Sequence, residues 1–286
     1  MAKELLLSVI VATVGRDEEI AHFLKSIVTI STIDDIELII VDQNEDNRLV
    51  PIIQQYNNQL KIVHLKCRKK HANKARNYGA SFASGKWLGF ADDDCTYQVK
   101  TFSEFQRIII EQQPDIILGG VVDFENHYIG RANQKQTVIT KRNVLGKVFE
   151  ANMYIEKSVF NRIGGFCEDF GPGSSYFAAE GLELLFRAMK QNYKIYYNHR
   201  LLVNHPRKIP PYNQYAMTTS FQHSFATGAV LAKFLSAETM YVLLKMILFH
   251  WVKLAVFSGL RRKYVFQAYK GTINGFITYL MRKRRL

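Results

Sequence analysis

The run Trp87-Leu88-Gly89-Phe90-Ala91-Asp92-Asp93-Asp94-Cys95 constrains the chain more than any other stretch. Five apolar or small residues stop abruptly at three consecutive carboxylates. A short apolar run bounded by turn residues reads as a buried strand. Adjacent acids repel one another, so three in a row call for a neutralising cation. A hard divalent ion, Mg²⁺ or Mn²⁺, is the expected partner, because it takes few carboxylates and leaves room for substrate phosphates. A solvated acidic turn or a helix N-cap would be written with the same letters. Direct attachment to a buried strand favours a ligand site at the carboxyl edge of a parallel sheet.

The preceding residues supply that sheet. Residues 5–13 form a continuous β-rich run, the pattern of a strand covered on both faces. Val14-Gly15-Arg16-Asp17 is a turn, and 18–29 an amphipathic helix with Ile20, Phe23, Leu24 and Ile27 on one face. Strands are expected at 37–41 and 60–65, with helices at 49–56 and 74–83. This alternation predicts an α/β fold with a doubly wound, mostly parallel sheet. Thr13, Asp42 and Asp92–Asp94 all fall where strands stop, the edge at which a nucleotide would sit.

Beyond Asp94 the pattern loosens. A helix is expected at 102–112 and strands at 115–121, 152–155 and 193–203. Residues 134–149 read as a polar mobile loop, 166–175 as a Gly/Pro-rich loop, and 179–187 as a helix start. Cys67, Cys95 and Cys167 are odd in number and widely spaced, which suggests a reducing compartment. No signal peptide is read at the amino terminus.

The formal net charge is +13. Residues 239–286 hold ten Lys/Arg and no Asp/Glu, so the excess sits almost entirely in the tail. Such a tail implies an anionic partner, a membrane surface or nucleic acid. Helices are expected at 220–234 and 240–260. The second is long enough to span a bilayer. Lys245, His250 and Lys253 within it argue against spanning, so an interfacial helix fits better. Tyr241, Phe249, Trp251, Phe257 and Tyr264 suit a headgroup zone. A hydrophobic helix docked on the α/β body, or a dimer interface, is the plainer alternative.

Five stretches, in order, resemble a known family. They are Ser8-Val9-Ile10-Val11-Ala12-Thr13-Val14-Gly15-Arg16, Leu38-Ile39-Ile40-Val41-Asp42-Gln43-Asn44, Lys74-Ala75-Arg76-Asn77-Tyr78-Gly79-Ala80, Phe90-Ala91-Asp92-Asp93-Asp94-Cys95 and Ile163-Gly164-Gly165-Phe166. Together they resemble the family 2 glycosyltransferases of the GT-A fold, of the bacterial kind that builds surface polysaccharides. The resemblance implies an inverting, metal-dependent transfer of a sugar from a nucleotide-diphosphate donor, UDP by preference, to a saccharide hydroxyl. It divides the chain into a transferase domain, 1–215, with nucleotide-sugar and acceptor halves meeting near residue 100, and a basic, apolar helical region, 216–286.

The resemblance also implies roles. Asp42 would accept a hydrogen bond from the base, with Thr13 lining the same pocket. Arg16, Arg76 and Asn77 would lie beside the nucleotide-sugar. Asp92 would face the ribose or sugar, and Asp93 would orient or assist. Asp94, with Asp92 and His205, would hold Mn²⁺ or Mg²⁺ in the DXD manner. Gly181 replaces the aspartate usually treated as the general base. That leaves Glu180 as the expected base and Glu183 in reserve, three apart on one helical face. A lipid-linked acceptor and a peripheral place on the cytoplasmic face of the membrane follow, with no nucleic acid expected and a homo-oligomer left open. The competing reading is a non-catalytic scaffold that binds an anionic surface or nucleic acid through its tail.

Overall fold

The computed structural model describes residues 5–30, 35–129, 135–206 and 212–283. Of the residues read above, 1–4, Gln134 and 284–286 lie outside the described residues. Two compact units result. The first runs to residue 140 and adds 146–166 and 187–207; the second takes 141–145, 167–186 and 208–286.

The first unit is built on a nine-stranded sheet of order β3-β2-β1-β4-β8-β6-β9-β5, with β7 also paired to β9. Its first half comprises β1 (Leu7–Thr13), β2 (Ile36–Asp42), β3 (Lys61–Lys66) and β4 (Trp87–Ala91), all mutually parallel. The connections are α1 (Glu18–Val28), α2 (Val50–Gln54) and α3 (Ala72–Phe82). Every residue of β2 and β4 is buried, which explains their unbroken apolar letters. β3 is the edge, half-buried along its middle and exposed at both ends. Asp42 at its end apart, Glu37 is the exception within β2. It accepts hydrogen bonds from Ser8 Oγ (2.6 Å) and from Ser84 N and Oγ (2.6 and 2.7 Å), and pairs with Lys61 at 2.9 Å.

The second half makes the sheet mixed. β5 (Thr96–Tyr97), α4 (Thr101–Gln112), β6 (Ile116–Val122), β7 (Thr137–Val138), β8 (Met153–Glu156), α5 (Lys157–Arg162), α6 (Glu180–Lys190) and β9 (Ile195–Asn204) follow in order. β8 is antiparallel to both β4 and β6, while β9 is parallel to β6. The chain leaves β6 at the carboxyl edge and returns as β8 without a crossover, so the pairing is antiparallel. Within the stretch expected to be a mobile loop, Thr137–Val138 pairs with β9 and Ile139 is buried.

The second unit's main elements are α7 (Gln214–Lys233), α8 (Ala237–Val256) and α9 (Gly259–Lys283). Asn213 caps α7 by accepting from Ala216 N at 2.9 Å, so the helix starts earlier than its apolar letters suggest. The expected 240–260 helix ends at Val256, and the basic residues beyond it form α9. α7 and α9 meet backbone to backbone. A Cβ on Gly228 would lie 2.1 Å from Thr272 O, and one on Gly275 1.9 Å from Phe225 O. α8 buries Thr239, Val242 and Leu243 and exposes Tyr241, Leu244, Leu248, Trp251, Val252 and Val256. By length and composition it could cross a membrane.

Candidate active site

The polar cluster of the first unit gathers at the carboxyl edge of its parallel strands. Asp42 ends β2 and is fully buried. Its Oδ1 accepts from Asn44 N and Nδ2, both at 2.8 Å. Its Oδ2 pairs with Lys66 Nζ at 2.8 Å and His64 Nε2 at 3.0 Å. Burial pushes the Asp42 carboxyl up, but Lys66, the Asn44 backbone and His64 outweigh it and hold the group below its ordinary value. Asn44 Oδ1 in turn accepts from Gly15 N at 2.6 Å, tying the β1 turn to the end of β2. Gly15 has φ +73°, which favours glycine there.

Two arginines neutralise the three acids after β4. Arg16 Nη1 lies 2.6 Å from Asp93 Oδ1 and 2.8 Å from Asp94 Oδ2. Arg76, buried on α3, reaches Asp92 Oδ1 at 3.1 Å and Asn73 Oδ1 at 3.2 Å. Its guanidinium stands 5.7 Å from the Phe166 ring centroid. Burial pushes the Asp93 carboxyl up, and the Thr13 hydroxyl and Arg16 offset this only in part. Thr13 thus lies near Asp93, although its buried hydroxyl makes no hydrogen bond of ordinary geometry. Asn77 is engaged elsewhere. Its Oδ1 accepts from Phe166 N and its Nδ2 donates to Phe166 O, both at 2.9 Å. Gly165 beneath it has φ +67°, and a Cβ there would lie 2.8 Å from Asn77 Oδ1. The Gly-Gly-Phe turn thus engages both ends of the Asn77 carboxamide.

His205 Nε2 approaches Asp94 Oδ1 at 3.3 Å. Ligand atoms from Asp92, Asp94, Cys95 and His205 all lie within 4.8 Å of one another. Two carboxylates and an imidazole fit Mn²⁺, and the oxygens alone fit Mg²⁺. Burial and the neighbouring acids push the Cys95 thiol well up. A cavity of about 420 Å³ opens beside Asp94 and Cys95, walled by His22, Ser26, Phe124 and Pro206.

Glu180 and Glu183 stand in the second unit, at the start of α6. Just before the helix, Phe177 and Ala179 adopt left-handed backbones, φ +63° and +65°. Such residues cost about 1–2 kcal/mol each and persist where the surroundings over-determine them. Glu183 is fully buried and receives Lys233 Nζ at 2.7 Å. Burial pulls the Lys233 ammonium down, but Glu183 raises it above its ordinary value. Arg187, the alternative partner by helical spacing, instead donates to the carbonyls of Ile163 and of Gly165, the latter at 2.6 Å.

Sequence reasoning missed His64, Lys66 and Lys233. The first two left a trace, since His64-x-Lys66 points one face of β3 at the Asp42 end of β2. Lys233 lies fifty residues from Glu183 and left none.

The sequence model of the family described as Glycosyl transferase family 2 matches residues 8–167. An uncharacterized glycosyltransferase of Haemophilus influenzae is 30% identical over 168 residues, covering 56% of each chain. The chain thus spans about half the length of that curated relative. Among solved structures, S. aureus TarS 1–349 in complex with UDP-GlcNAc aligns with TM-score 0.61 at 16% identity, over 98% of this chain and 92% of that one. The mannosyltransferase PcManGT from Pyrobaculum calidifontis, in complex with GDP-Man and Mn²⁺, aligns with TM-score 0.63 at 13% identity, over 99% and 89%. At these identities the structural likeness speaks for the fold. The family match covers more than half the chain, and with the mixed α/β sheet it leads to one conclusion: this chain belongs to glycosyltransferase family 2 and has the GT-A fold.

Proposed function

We propose that this protein transfers a sugar, with inversion, from a nucleotide-diphosphate donor to a hydroxyl of a saccharide acceptor. The observation that carries the reading is the convergence of Asp42, Arg16, Arg76 and the Asp92–Asp94 run on one sheet edge of the first unit. The donor we favour is UDP-linked. The base would reach Asp42 by replacing one of its four present donors, of which Lys66 is the most exposed. Arg16 and Arg76 would orient the diphosphate, and Thr13, Asp92 and Asp93 would bound the ribose and sugar.

Asp92, Asp94 and His205 would hold Mn²⁺ or Mg²⁺, which neutralises charge developing on a leaving diphosphate. Glu180 is assigned the base. It takes the acceptor hydroxyl proton as that oxygen bonds to the anomeric carbon and the sugar–phosphate bond breaks toward the diphosphate. Residues 1–215 are assigned to transfer. Residues 216–286 are assigned to a peripheral place on the cytoplasmic membrane face, where a lipid-linked saccharide would be met. The exposed apolar side of α8 and the basic residues of α9 support this.

Calorimetric titration of UDP with and without Mn²⁺, on wild type and Asp94→Ala, tests the core of the reading. Binding that needs both the ion and Asp94 is expected. No binding of UDP, GDP or dTDP in the presence of Mn²⁺ would sink it. Gly181, where the family carries an acid, favours a second reading: a non-catalytic scaffold on an anionic surface. Donor hydrolysis by the metal-loaded protein would exclude that reading.

A further inference from the structure

Within the second unit, α8 and α9 meet at a corner formed by Phe257 and Ser258, and each helix is one-sided. Leu244, Leu248, Trp251, Val252 and Val256 are exposed on one half of α8. On α9 the exposed side carries Arg262, Lys263, Phe266, Lys270 and Ile277, opposite the buried Gly271 and Gly275. Cations and apolar side chains therefore alternate on the outer side of α9, next to an α8 face that is almost wholly apolar.

A cleft of about 500 Å³ lies at the corner, lined by Leu254, Gly259, Arg262, Lys263 and Phe266. A second, of about 470 Å³, shares Lys263 and Phe266 and adds Leu260 and, from α7, Met217. Both combine apolar walls with an exposed cation. Arg261 is engaged, its guanidinium 3.7 Å from the Phe257 ring centroid. Arg262 and Lys263 have no carboxylate partner among the described residues. Residues 239–286 contain no Asp or Glu, and the acids nearest in sequence, Glu238 and Glu183, pair with Lys141 and Lys233. Two uncompensated cations beside apolar walls suit an anion that carries an apolar body. A phospholipid has both parts. A nucleic acid would match the cations and leave Leu254, Phe266 and the outer side of α8 against water.

We infer that the α8–α9 corner is a binding site for an acidic phospholipid: Arg262 and Lys263 take the headgroup phosphate, and Leu254 and Phe266 lie against the hydrocarbon below it. This rests on the membrane placement proposed above and adds a headgroup site to it, built from the second unit alone. Arg and Lys are the side chains suited to a phosphate, the first by its fork of donors and the second as a compact charge. Basic pockets between helices at a membrane surface hold anionic headgroups in the same way. The outer side of α8 then enters the same leaflet, with Trp251 at its boundary.

The test uses the full-length protein and two vesicle preparations, phosphatidylcholine alone and phosphatidylcholine with phosphatidylglycerol. Binding is read by co-sedimentation and by quenching of Trp251 fluorescence with chain-brominated lipid, the other tryptophan, Trp87, being buried in the first unit. Wild type is expected to bind the phosphatidylglycerol vesicles far more tightly and to be quenched there. Arg262→Gln/Lys263→Gln should lose about thirtyfold in partition. Phe266→Ser, which leaves the charge unchanged, should lose about tenfold. Lys245→Gln/Lys270→Gln removes two exposed charges that line neither cleft, and should lose under about fivefold. All three variants should keep the wild-type thermal midpoint within a few degrees. Equal losses in the two charge variants would overturn the site in favour of diffuse attraction, as would wild-type binding by Phe266→Ser. Release from the vesicles by inorganic phosphate at constant ionic strength would overturn the lipid as occupant, and so would tighter binding to DNA than to the vesicles. Wild-type protein that binds neither preparation would refute the membrane placement itself, and the headgroup site with it.

Discussion

Arg16 Nη1 stands 2.6 Å from Asp93 Oδ1, joining the turn after β1 to the acids after β4 across seventy-seven residues. The same nitrogen reaches Asp94. Burial pulls the Arg16 guanidinium down, yet the two acids hold it above its ordinary value. Without a metal, this arginine is the counter-charge.

Arg16 and a divalent ion should therefore compete for Asp94. Arg16→Met is expected to melt at a lower temperature than wild type without metal, and to gain more from added Mn²⁺. Equal Mn²⁺-induced shifts in the two proteins would show that Arg16 does not oppose the ion.

Asp42 offers a second test. Asp42→Asn removes the charge that Lys66 and His64 serve, and hydrogen bonds to charged groups contribute about 1.5–3 kcal/mol. UDP affinity should fall at least tenfold by calorimetry. An unchanged affinity would remove Asp42 from the base pocket.

Glu37 governs acid stability. Hydrogen bonds from Ser8 and Ser84, with Lys61, overcome burial and hold its carboxyl down to about 2, against 4.5 when free. A depressed folded-state pKa stabilises above the unfolded value. The contribution, about 3 kcal/mol, should be complete above pH ~4.5 and disappear as the pH falls toward 2. Glu37→Gln should flatten that limb in a pH series of urea melts. An identical limb in the variant would reassign it to other carboxylates.

Gly275→Ala should destabilise the second unit. The new methyl would sit 1.9 Å from Phe225 O, a backbone atom that cannot swing away. Forced separation of α7 and α9 costs about 1–3 kcal/mol, measurable as a lower urea midpoint. A neutral substitution would mean that the helices slide apart at no cost.

Leu248→Glu and Trp251→Glu place charge on the exposed side of α8. Both should weaken co-sedimentation with vesicles containing anionic lipid, leaving the thermal midpoint within a few degrees. Deleting 239–286 is a poorer test, because it strips α9 from α7. Vesicle binding equal to wild type in both variants would take the membrane role away from α8.

The parallel half of the sheet was legible because β1, β2 and β4 are buried on both faces, so their letters are continuous and their ends conspicuous. The acid run after β4 was legible for the same reason. His64 and Lys66 were harder to see: they sit on edge strand β3, and their meaning depends on β3 lying beside β2 in register. The antiparallel return of β8 left no periodic signal in four residues. α9 was hidden by its basic, weakly patterned sequence, since its buried positions are Val265, Gly271, Thr272 and Gly275 rather than a periodic apolar stripe. The tie from Asn77 to the Phe166 turn was not legible, because a carboxamide's two ends meeting one peptide's N–H and C=O leave no pattern in the letters.

The glycine contact between α7 and α9 bears on where such a pair can hold together. Oily side chains seek each other in water but lose that incentive against lipid tails of equal oiliness. Close approach of main chains owes its cohesion to contact itself, whichever solvent lies outside. A seam of this kind, with α8 beside it, keeps its geometry at an oil–water boundary.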